Sequence, residues 1–447
     1  MRFIKNGPDV PDRLIQNHED GKVVFFCGAG ISYPAGLPGF GGLVEKLYDK
    51  LGETPFPDEQ AALKEKRFDG VIDLLERRVN SRTLVRGYIA EILQPDYSRK
   101  GATDTHRALL SLAKNNDGNL RLVTTNFDRI FAYIDPGLPS CAAPLLPIPK
   151  KSRWNGIVYL HGLLPKVPDP QALNQLVVSS GDFGLAYLTE RWASRFVTEL
   201  FRGYTVCFVG YSINDPVMRY MVDALSADRM MGETAPEVFA IGSFEAGKED
   251  IRRQEWRAKG VTPILYREYR GRKGHALLHQ TLQAWAGVYR DGLSGKCSII
   301  TREAGALPSS IKDDGQVERV LWALSEPSGV PAKTFADLEP APPIEWLAVF
   351  DEMRYRPNDL PRFGISPIPG GTDNMAFSLL RRRTPYELGP WMSLVDFDGN
   401  TGAWDEVMLQ LARWLVRHLD KPEVLAWVLR NGAKLHPRLQ KLIEDRV

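Results

Sequence analysis

Residues 28–32, Gly-Ala-Gly-Ile-Ser, have the types and spacing needed to bind a phosphate group. Glycines let a ligand approach the backbone closely, and the N–H groups at the start of a following helix attract negative charge. Five apolar residues, 23–27, precede the glycines and predict a buried parallel strand, and a helical pattern resumes near Leu43. A strand, a glycine turn and a helix in this order predict a nucleotide site.

The glycine turn departs from the fingerprint of dinucleotide-binding dehydrogenases. That pattern is Gly-x-Gly-x-x-Gly, whereas Tyr33 occupies the third glycine position here. The acidic residue that binds ribose about 20 residues later is also missing, because residues 43–51 have a helical pattern instead. A tight turn that binds no ligand is the alternative interpretation, since glycine-rich turns are common.

Polar residues follow several other apolar segments and could complete a site. Thr125-Asn126-Phe127-Asp128 follows the second segment, His161-Gly162 the third, residues 210–216 the fourth and Gly242-Ser243 the fifth. Each has a purely structural alternative: Asn126 or Asp128 as a helix N-cap, His161 as a strand-end histidine bonded to backbone, and Ser212 with Asp215-Pro216 as a helix entry.

Six short apolar runs alternate with helical or polar segments and predict the strands that position these residues. They are residues 23–27, 120–124, 157–160, 204–209, 237–241 and 262–266. This alternation predicts an α/β fold, a Rossmann-like doubly wound parallel sheet with helical inserts at 57–95 and 181–202. Because ligands bind at the carboxyl ends of such strands, the polar loops are expected to meet there.

The length of 447 residues and a change of composition predict several domains. We expect a nucleotide-binding domain at 1–290 and a linker or connector, rich in Pro, Ser, Gly and Ala, at 291–343 around one short helix at 316–324. A mainly helical C-terminal module at 344–447 follows, with Trp and Leu at helical spacing.

The composition excludes several classes of protein. Apolar residues make up 43% of the chain, charged residues 25%, and the net charge is +2. No 18-residue apolar run and no signal-peptide core occur, so a cytoplasmic protein without membrane association is expected. The four cysteines form no Cys-x-x-Cys pair, which predicts reduced thiols and no structural zinc ribbon.

The four strand-end motifs together resemble the sirtuin-like fold in order, spacing and residue type. The motifs are residues 28–32, residues 125–128, Leu160-His161-Gly162 and Gly210-Tyr211-Ser212, and the resemblance covers roughly residues 20–285. The variant Gly-Tyr-Ser-x-Asn-Asp-Pro at 210–216, together with Thr-Asn-Phe-Asp, looks most like the bacterial sirtuin-like NAD hydrolases of antiphage defence.

The resemblance implies that the chain cleaves the nicotinamide–ribose bond of NAD. Nicotinamide is a cationic leaving group, so cleavage passes through an oxocarbenium-like state. His161 would accept a proton from a ribose hydroxyl or water, and Asn126 would bind the ribose or position the water. Asp128 would hold the nicotinamide carboxamide. The remaining residues would bind phosphate or close over the phosphates or adenine ribose: Gly28, Ala29, Gly30, Ser32, Gly210 and Ser212.

Two departures from deacylating sirtuins favour a water nucleophile. Those enzymes carry a zinc module of four cysteines after the histidine, and this sequence has none. Their cofactor-loop pattern Gly-Ile-Pro-Asp-Phe-Arg stands here as residues 36–41, Gly-Leu-Pro-Gly-Phe-Gly, so glycines replace the acidic residue and the arginine. By analogy with similar systems we expect a homo-oligomer, with a partner ATPase or a phage-derived activator.

Other functions remain open alternatives: a non-catalytic NAD or ADP-ribose sensor, a protein deacylase or ADP-ribosyltransferase, and a nuclease. For a nuclease, residues 267–273 and 381–383 are basic and could contact nucleic acid, although short basic runs are usually solvated. His275 and His279 share a helical spacing that suits a metal, but the sequence offers no third ligand. No Gly-Lys-Ser/Thr P-loop is present.

Overall fold

The computed structural model describes most of the chain and divides it into two compact units. The described residues are 1–115, 117–167, 169–213, 221, 236–269, 274–311, 314–326, 328–352, 354–355, 375–376, 406–432, 435 and 437–446. The first unit is Gly7–Ala286, and the second combines Met1–Asn6 with Gly287–Val447.

A seven-stranded parallel sheet forms the centre of the first unit. Its strands are β1 (Val23–Cys27), β2 (Arg121–Thr124), β3 (Ser140–Ala142), β4 (Gly156–Tyr159), β5 (Thr205–Val209), β6 (Val238–Phe244) and β7 (Thr262–Arg267). The order across the sheet is β3-β4-β2-β1-β5-β6-β7. All five residues of β1 are buried, because neighbouring strands cover its edges and helices its faces. The Rossmann-like α/β fold is confirmed.

The strands lie where the apolar runs predicted them, with one addition. Strand β3 pairs in parallel with β4, and its residues Ser140 and Cys141 are exposed. A three-residue edge strand with exposed side chains has no apolar run, so the sequence pattern did not indicate it.

Helices surround the sheet and build two inserts beside it. Their bounds are α1 (Asp12–Glu19), α2 (Phe40–Leu51), α3 (Pro57–Lys64), α4 (Phe68–Val79), α5 (Arg82–Ile92), α6 (Asp104–Leu112), α7 (Ile130–Ile134), α8 (Pro170–Asn174), α9 (Ser180–Phe183), α10 (Trp192–Gly203) and α11 (Glu249–Ala258). A 3₁₀ helix spans Ala29–Ala35, and a π-helical segment spans Gly184–Thr189.

The side chain of Arg86 joins the two inserts. Arg86 is fully buried on α5, donates to Glu76 on α4 at 2.7 Å and to the carbonyl of Leu176 at 2.7 Å, and also binds Asp182 on α9. Burial opposes the charge of Asp182, but Arg86 and the backbone N–H groups of Ser179 and Val178 lower its pKa below the usual value. This network fixes the segment that carries Val177 and Phe183.

The second unit has a helical core that includes the segment expected to be a connector. Its helices are α12 (Ala276–Glu303, interrupted by non-helical backbone at Gly292, with residues 276–286 belonging to the first unit), α13 (Gln316–Leu324), α14 (Val330–Asp337), α15 (Trp346–Glu352), α16 (Glu406–Val416), α17 (Pro422–Asn431) and α18 (Pro437–Glu444), with a short pair β8 (Arg354–Tyr355) and β9 (Met375–Ala376). Val320, Leu324 and Phe335 are completely buried and share a core with Trp346 and Trp414. Residues 291–343 thus help to form the second unit.

We expect Arg86→Met to lower the free energy of unfolding by about 3–5 kcal/mol, because Glu76 and Asp182 would then lack their buried cation. Lys50→Met is the matched control: Lys50 pairs with Glu91 at 3.0 Å, and both side chains are about half exposed. This control should cost at most about 1 kcal/mol. Urea unfolding measures both. Equal losses in the two variants would contradict a structural role for the buried network.

Candidate functional site

The strand order brings the loops of the predicted site together beyond the carboxyl ends of the parallel strands. The chain runs outward from β1 through β2 to β4 on one side, and continues at β5 on the other side of β1. Ligands bind in the crevice at such a reversal of strand order. The loops that follow β1, β2 and β4 line one cavity, and the loops that follow β1 and β5 line a second. Gly242 and Ser243 also line the second cavity, but they lie within β6 and not after it, where the apolar run predicted them.

A buried hydrogen-bond network joins the loop after β1 to the loop after β2. The amide nitrogen of Asn126 donates to the carbonyl of Gly28 at 3.2 Å and to Oγ of Ser32 at 3.1 Å. The hydroxyl of Ser32 in turn donates to Asp128 Oδ2 at 2.8 Å. Because both N–H groups of the amide have partners in the protein, Asn126 can offer its Oδ1 to a ligand.

Asp128 also contacts the start of a helix, although Arg129 and not Asp128 is the N-cap residue. Its Oδ1 accepts a hydrogen bond from the backbone N–H of Ile130, the first residue of α7, at 3.1 Å. Complete burial raises the pKa of Asp128, while the hydrogen bonds from Ile130, Ser32 and Asn126 act in the opposite direction. The side chain lines the cavity as well, so its bond to the helix and a contact with a ligand are compatible.

The glycines of the first loop allow it to pack tightly against the loop after β5. The N–H groups of Gly28 and Gly30 donate to the carbonyls of Val209 and Gly210, at 2.8 and 2.9 Å. A Cβ on Gly30 would lie 2.9 Å from Cα of Gly210, and one on Gly28 would lie 2.8 Å from the ring of Tyr211. Gly210 itself has φ +77°, which favours glycine. The amides of Gly28 and Gly30 are therefore already engaged in the fold.

His161 follows β4 and is held in an aromatic environment. Its Nε2 lies 2.9 Å from the hydroxyl of Tyr187, and its ring lies 5.0 Å from that of Phe183, edge to face. Burial lowers the pKa of His161 to about 3. The imidazole is therefore neutral at physiological pH, and it is a weaker base than a histidine with the ordinary value of about 6.5.

We call the first cavity the His161 cavity; it encloses about 610 Å³ including its opening and is lined by Ser32, Asn126, Asp128, His161 and Phe183 among others. The second, the Ser243 cavity, measures about 1410 Å³ including open solvent and is lined by Gly30, Gly210, Ser212, Ser243, Glu268 and His275 among others. Three residues line both: Ala29, Gly39 and Phe40. The two cavities thus meet beside the glycine loop.

Several residues of the site were not predicted from the sequence. Tyr211 binds Thr125 through their hydroxyls at 2.6 Å and donates to the carbonyl of Cys27 at 3.1 Å. His106 on α6 places Nε2 3.3 Å from Oγ of Ser32. Tyr211 lies within the predicted motif at 210–216 and could have been chosen there. His106 and Tyr187 lie in helices that are distant in sequence from their partners Ser32 and His161, so no short sequence pattern indicates them.

His275 and His279, whose spacing suited a metal site, each lie within hydrogen-bond distance of a hydroxyl group instead. His275 Nδ1 lies 2.8 Å from the hydroxyl of Tyr266, and His279 Nδ1 lies 2.9 Å from the hydroxyl of Thr105. Within the described ranges, no group of three or more His, Cys, Asp or Glu side chains could hold a metal ion. Residues 214–216, 270–273 and 381–383 lie outside the described residues.

The sequence predicted reduced cysteine thiols and a protein without membrane association. All four cysteines are free thiols; Cys27 and Cys207 are buried, Cys141 is exposed and Cys297 is intermediate. Burial raises the pKa of Cys27 and of Cys207. Among the helices that the structure describes, none is both long enough and apolar enough to cross a membrane.

Comparisons with known proteins show that the part of the chain that carries most of these site residues matches a protein family. Residues 120–264 match the model of a family described as SIR2-like domain, and this range contains Asn126, Asp128, His161, Gly210 and Ser212. A protein of Sinorhizobium fredii (strain NBRC 101917 / NGR234), described as uncharacterized protein y4cA, is 32% identical over 333 residues. That alignment covers 72% of this chain and 27% of the relative, so the chain spans about a quarter of the relative's length.

We expect Gly30→Ala to lower the free energy of unfolding by about 1–3 kcal/mol, because the new methyl group would overlap the backbone of Gly210. Gly87→Ala is the control, since a Cβ at this position on α5 meets nothing within 4 Å and should stabilise the helix by about 0.5–1 kcal/mol. Thermal or urea unfolding gives both values. A neutral Gly30→Ala would show that the loops are not packed as described.

Proposed function

Because this chain carries a sirtuin-like domain, we propose that it hydrolyses NAD at the nicotinamide–ribose bond and releases nicotinamide and ADP-ribose. The observation that carries the proposal is the pair of cavities that meet beside the glycine loop, with Asn126, Asp128 and His161 in one of them. An extended dinucleotide has two nucleoside halves joined by a pyrophosphate, which suits two joined cavities. Both cavities lie at the reversal of strand order.

The nicotinamide and its ribose would occupy the His161 cavity, and the adenosine half would occupy the Ser243 cavity. The pyrophosphate would then lie beside Ala29, which lines both. Gly28 and Gly30 would allow the pyrophosphate to approach the backbone this closely. Ser32 would hold the glycine loop in place through its hydrogen bond to Asp128. Gly210 and Ser212 would close over the phosphates or the adenine ribose.

The chemistry requires a leaving group, a stabilised sugar cation and a proton acceptor. Asp128 would hold the carboxamide of nicotinamide through a carboxyl oxygen that accepts a hydrogen bond. Asn126 would bind the ribose or the attacking water through Oδ1. His161, neutral at physiological pH, would accept the proton released by a ribose hydroxyl or by water.

Hydrolysis is favoured over transfer to an acylated peptide by the composition of the loop at 36–41. Glycines stand at positions 39 and 41, where the resemblance to deacylating sirtuins would call for an acidic residue and an arginine. Gly39 and Phe40 line both cavities, so their identity bears directly on the bound substrate.

A role in antiphage defence is the biological part of the proposal. Loss of NAD is lethal to a cell, so such an enzyme would stay inactive until a signal of infection arrives. Assembly of several copies, or a partner ATPase or phage-derived activator, would supply that signal in the cytoplasm. This part rests on analogy with the family rather than on a contact in the site.

The first test follows nicotinamide release from NAD by purified protein, with and without candidate activators. We expect His161→Ala to lower kcat by about 10²–10⁴-fold, the usual contribution of a general base, and Asn126→Ala to lower it as well. Leu185→Ala, on an exposed side chain of the π-helical segment, is a control that should keep full activity.

Three outcomes would redirect the assignment. Cleavage that survives both substitutions would exclude these two residues from catalysis. Binding of ADP-ribose without cleavage, under every activating condition, would identify a sensor. Turnover that is accelerated by a lysine-acylated peptide would identify a deacylase instead.

A second test concerns a positive charge at the Ser243 cavity, which would hold the adenosine half of NAD. Lys66 lines the Ser243 cavity, and its ammonium forms no ion pair with the described residues. We expect Lys66→Gln to raise the KM for NAD about two- to five-fold with little change in kcat, as for one exposed ion pair. The difference should shrink in high salt.

Lys64→Gln is the matched control, because Lys64 is exposed on α3 and does not line the cavity. An unchanged KM for Lys66→Gln, measured at low salt beside this control, would show that the ammonium of Lys66 does not contact bound NAD.

A further inference from the structure

The hydrogen bond between His161 and Tyr187 is the strongest feature of the site that the proposed function leaves unused. Tyr187 is 4% exposed, and its hydroxyl lies 2.9 Å from Nε2 of His161. Its ring stacks on Phe183 at 5.9 Å with an interplanar angle of 22°. Phe183 in turn contacts the ring of His161, so two aromatic rings and one hydroxyl fix the imidazole.

The backbone around Tyr187 is built to present this hydroxyl. Tyr187 lies in the π-helical segment Gly184–Thr189, where the N–H of Glu190 donates to the carbonyl of Leu185 at 2.9 Å. Leu185 and Leu188 face solvent, 49% and 70% exposed, while Tyr187 faces inward. The carbonyl of Tyr187 accepts a bond from Ser194 on α10 at 3.0 Å. Short π-helical turns occur frequently at functional sites.

The second ring nitrogen of His161, Nδ1, is the atom that remains open to the cavity. The described residues provide no hydrogen-bond partner for Nδ1, yet this atom is not sealed from solvent as Nδ1 of His106 is. His161 lines the cavity, so its small exposed area lies at the cavity wall. The bond made by one ring nitrogen determines which form the other adopts.

We propose that Tyr187 is a positioning residue that accepts a hydrogen bond from Nε2–H of His161 and so directs the lone pair of Nδ1 into the cavity. The proposal rests on the proposed function, in which His161 accepts a proton. Nδ1 is then the accepting atom, and the imidazolium that forms keeps both of its N–H groups bonded, Nε2–H to Tyr187 and Nδ1–H to the group that gave up the proton.

Tyr187→Phe tests this role, because it removes the hydroxyl and keeps the ring on Phe183. We expect kcat for NAD cleavage to fall about 3- to 10-fold, the equivalent of one neutral hydrogen bond, with KM within two-fold of wild type. Tyr204→Phe is the matched control: Tyr204 belongs to the same apolar core, and its buried hydroxyl has no partner among the described residues. It should leave kcat unchanged.

Nitrogen NMR of protein labelled at histidine gives a readout that does not need activity, with the signal of His161 assigned from His161→Gln. In wild type we expect a single form protonated on Nε2 whose hydrogen exchanges slowly. In Tyr187→Phe this hydrogen should exchange faster, and the form protonated on Nδ1 should become detectable.

A wild-type His161 protonated on Nδ1 would overturn the proposal, and so would a Tyr187→Phe variant with unchanged kcat or an unchanged His161 signal. If wild type cleaves no NAD under any condition, the proposed hydrolysis fails. The NMR comparison then decides the role of Tyr187 by itself: the expected change in the His161 signal supports it, and an unchanged signal overturns it.

Discussion

The amide of Asn126 holds together the two loops on which the candidate site depends. Its two N–H groups meet the carbonyl of Gly28 and the hydroxyl of Ser32, and its own backbone N–H donates to Oγ1 of Thr124 at 3.1 Å. All these groups are buried, and buried polar groups that lose their partners are costly. These hydrogen bonds therefore hold the loop after β1 against the loop after β2, which also carries Asp128.

A structural role for Asp128 does not exclude its proposed role toward a ligand, because the same side chain bonds the fold and lines the cavity. Asp128 bonds the N–H of the first residue of α7, accepts a hydrogen bond from Ser32 and lines the cavity. A substitution there would alter stability and ligand contact together, so loss of activity alone would not identify its role. His161 differs, since its side-chain bond runs to Tyr187, outside the loops that follow β1 and β2.

The sequence predicted the sheet and the positions of the polar loops because these follow from short-range patterns. An apolar run marks a buried strand, and the rule for parallel sheets then brings Asn126 and His161 to the same edge. Contacts between distant segments left no such pattern: Tyr187 is 26 residues from His161, and its partner depends on how a π-helical turn packs. The composition of 291–343 predicted a connector; Val320 and Phe335 in this range are buried in helices despite the surrounding Pro and Gly.

The depressed pKa of His161 restricts when a proton could be transferred under the proposed function. A histidine whose pKa is lowered by burial accepts a proton more readily from a group that has become acidic. A ribose hydroxyl, or a water that attacks the sugar, becomes acidic once positive charge develops on the ribose as nicotinamide departs. Proton transfer to His161 would therefore follow the onset of bond cleavage. Burial of the histidine in this way keeps it from competing for protons in the resting protein, and it makes the geometry around Nδ1 more important than the pH of the solution.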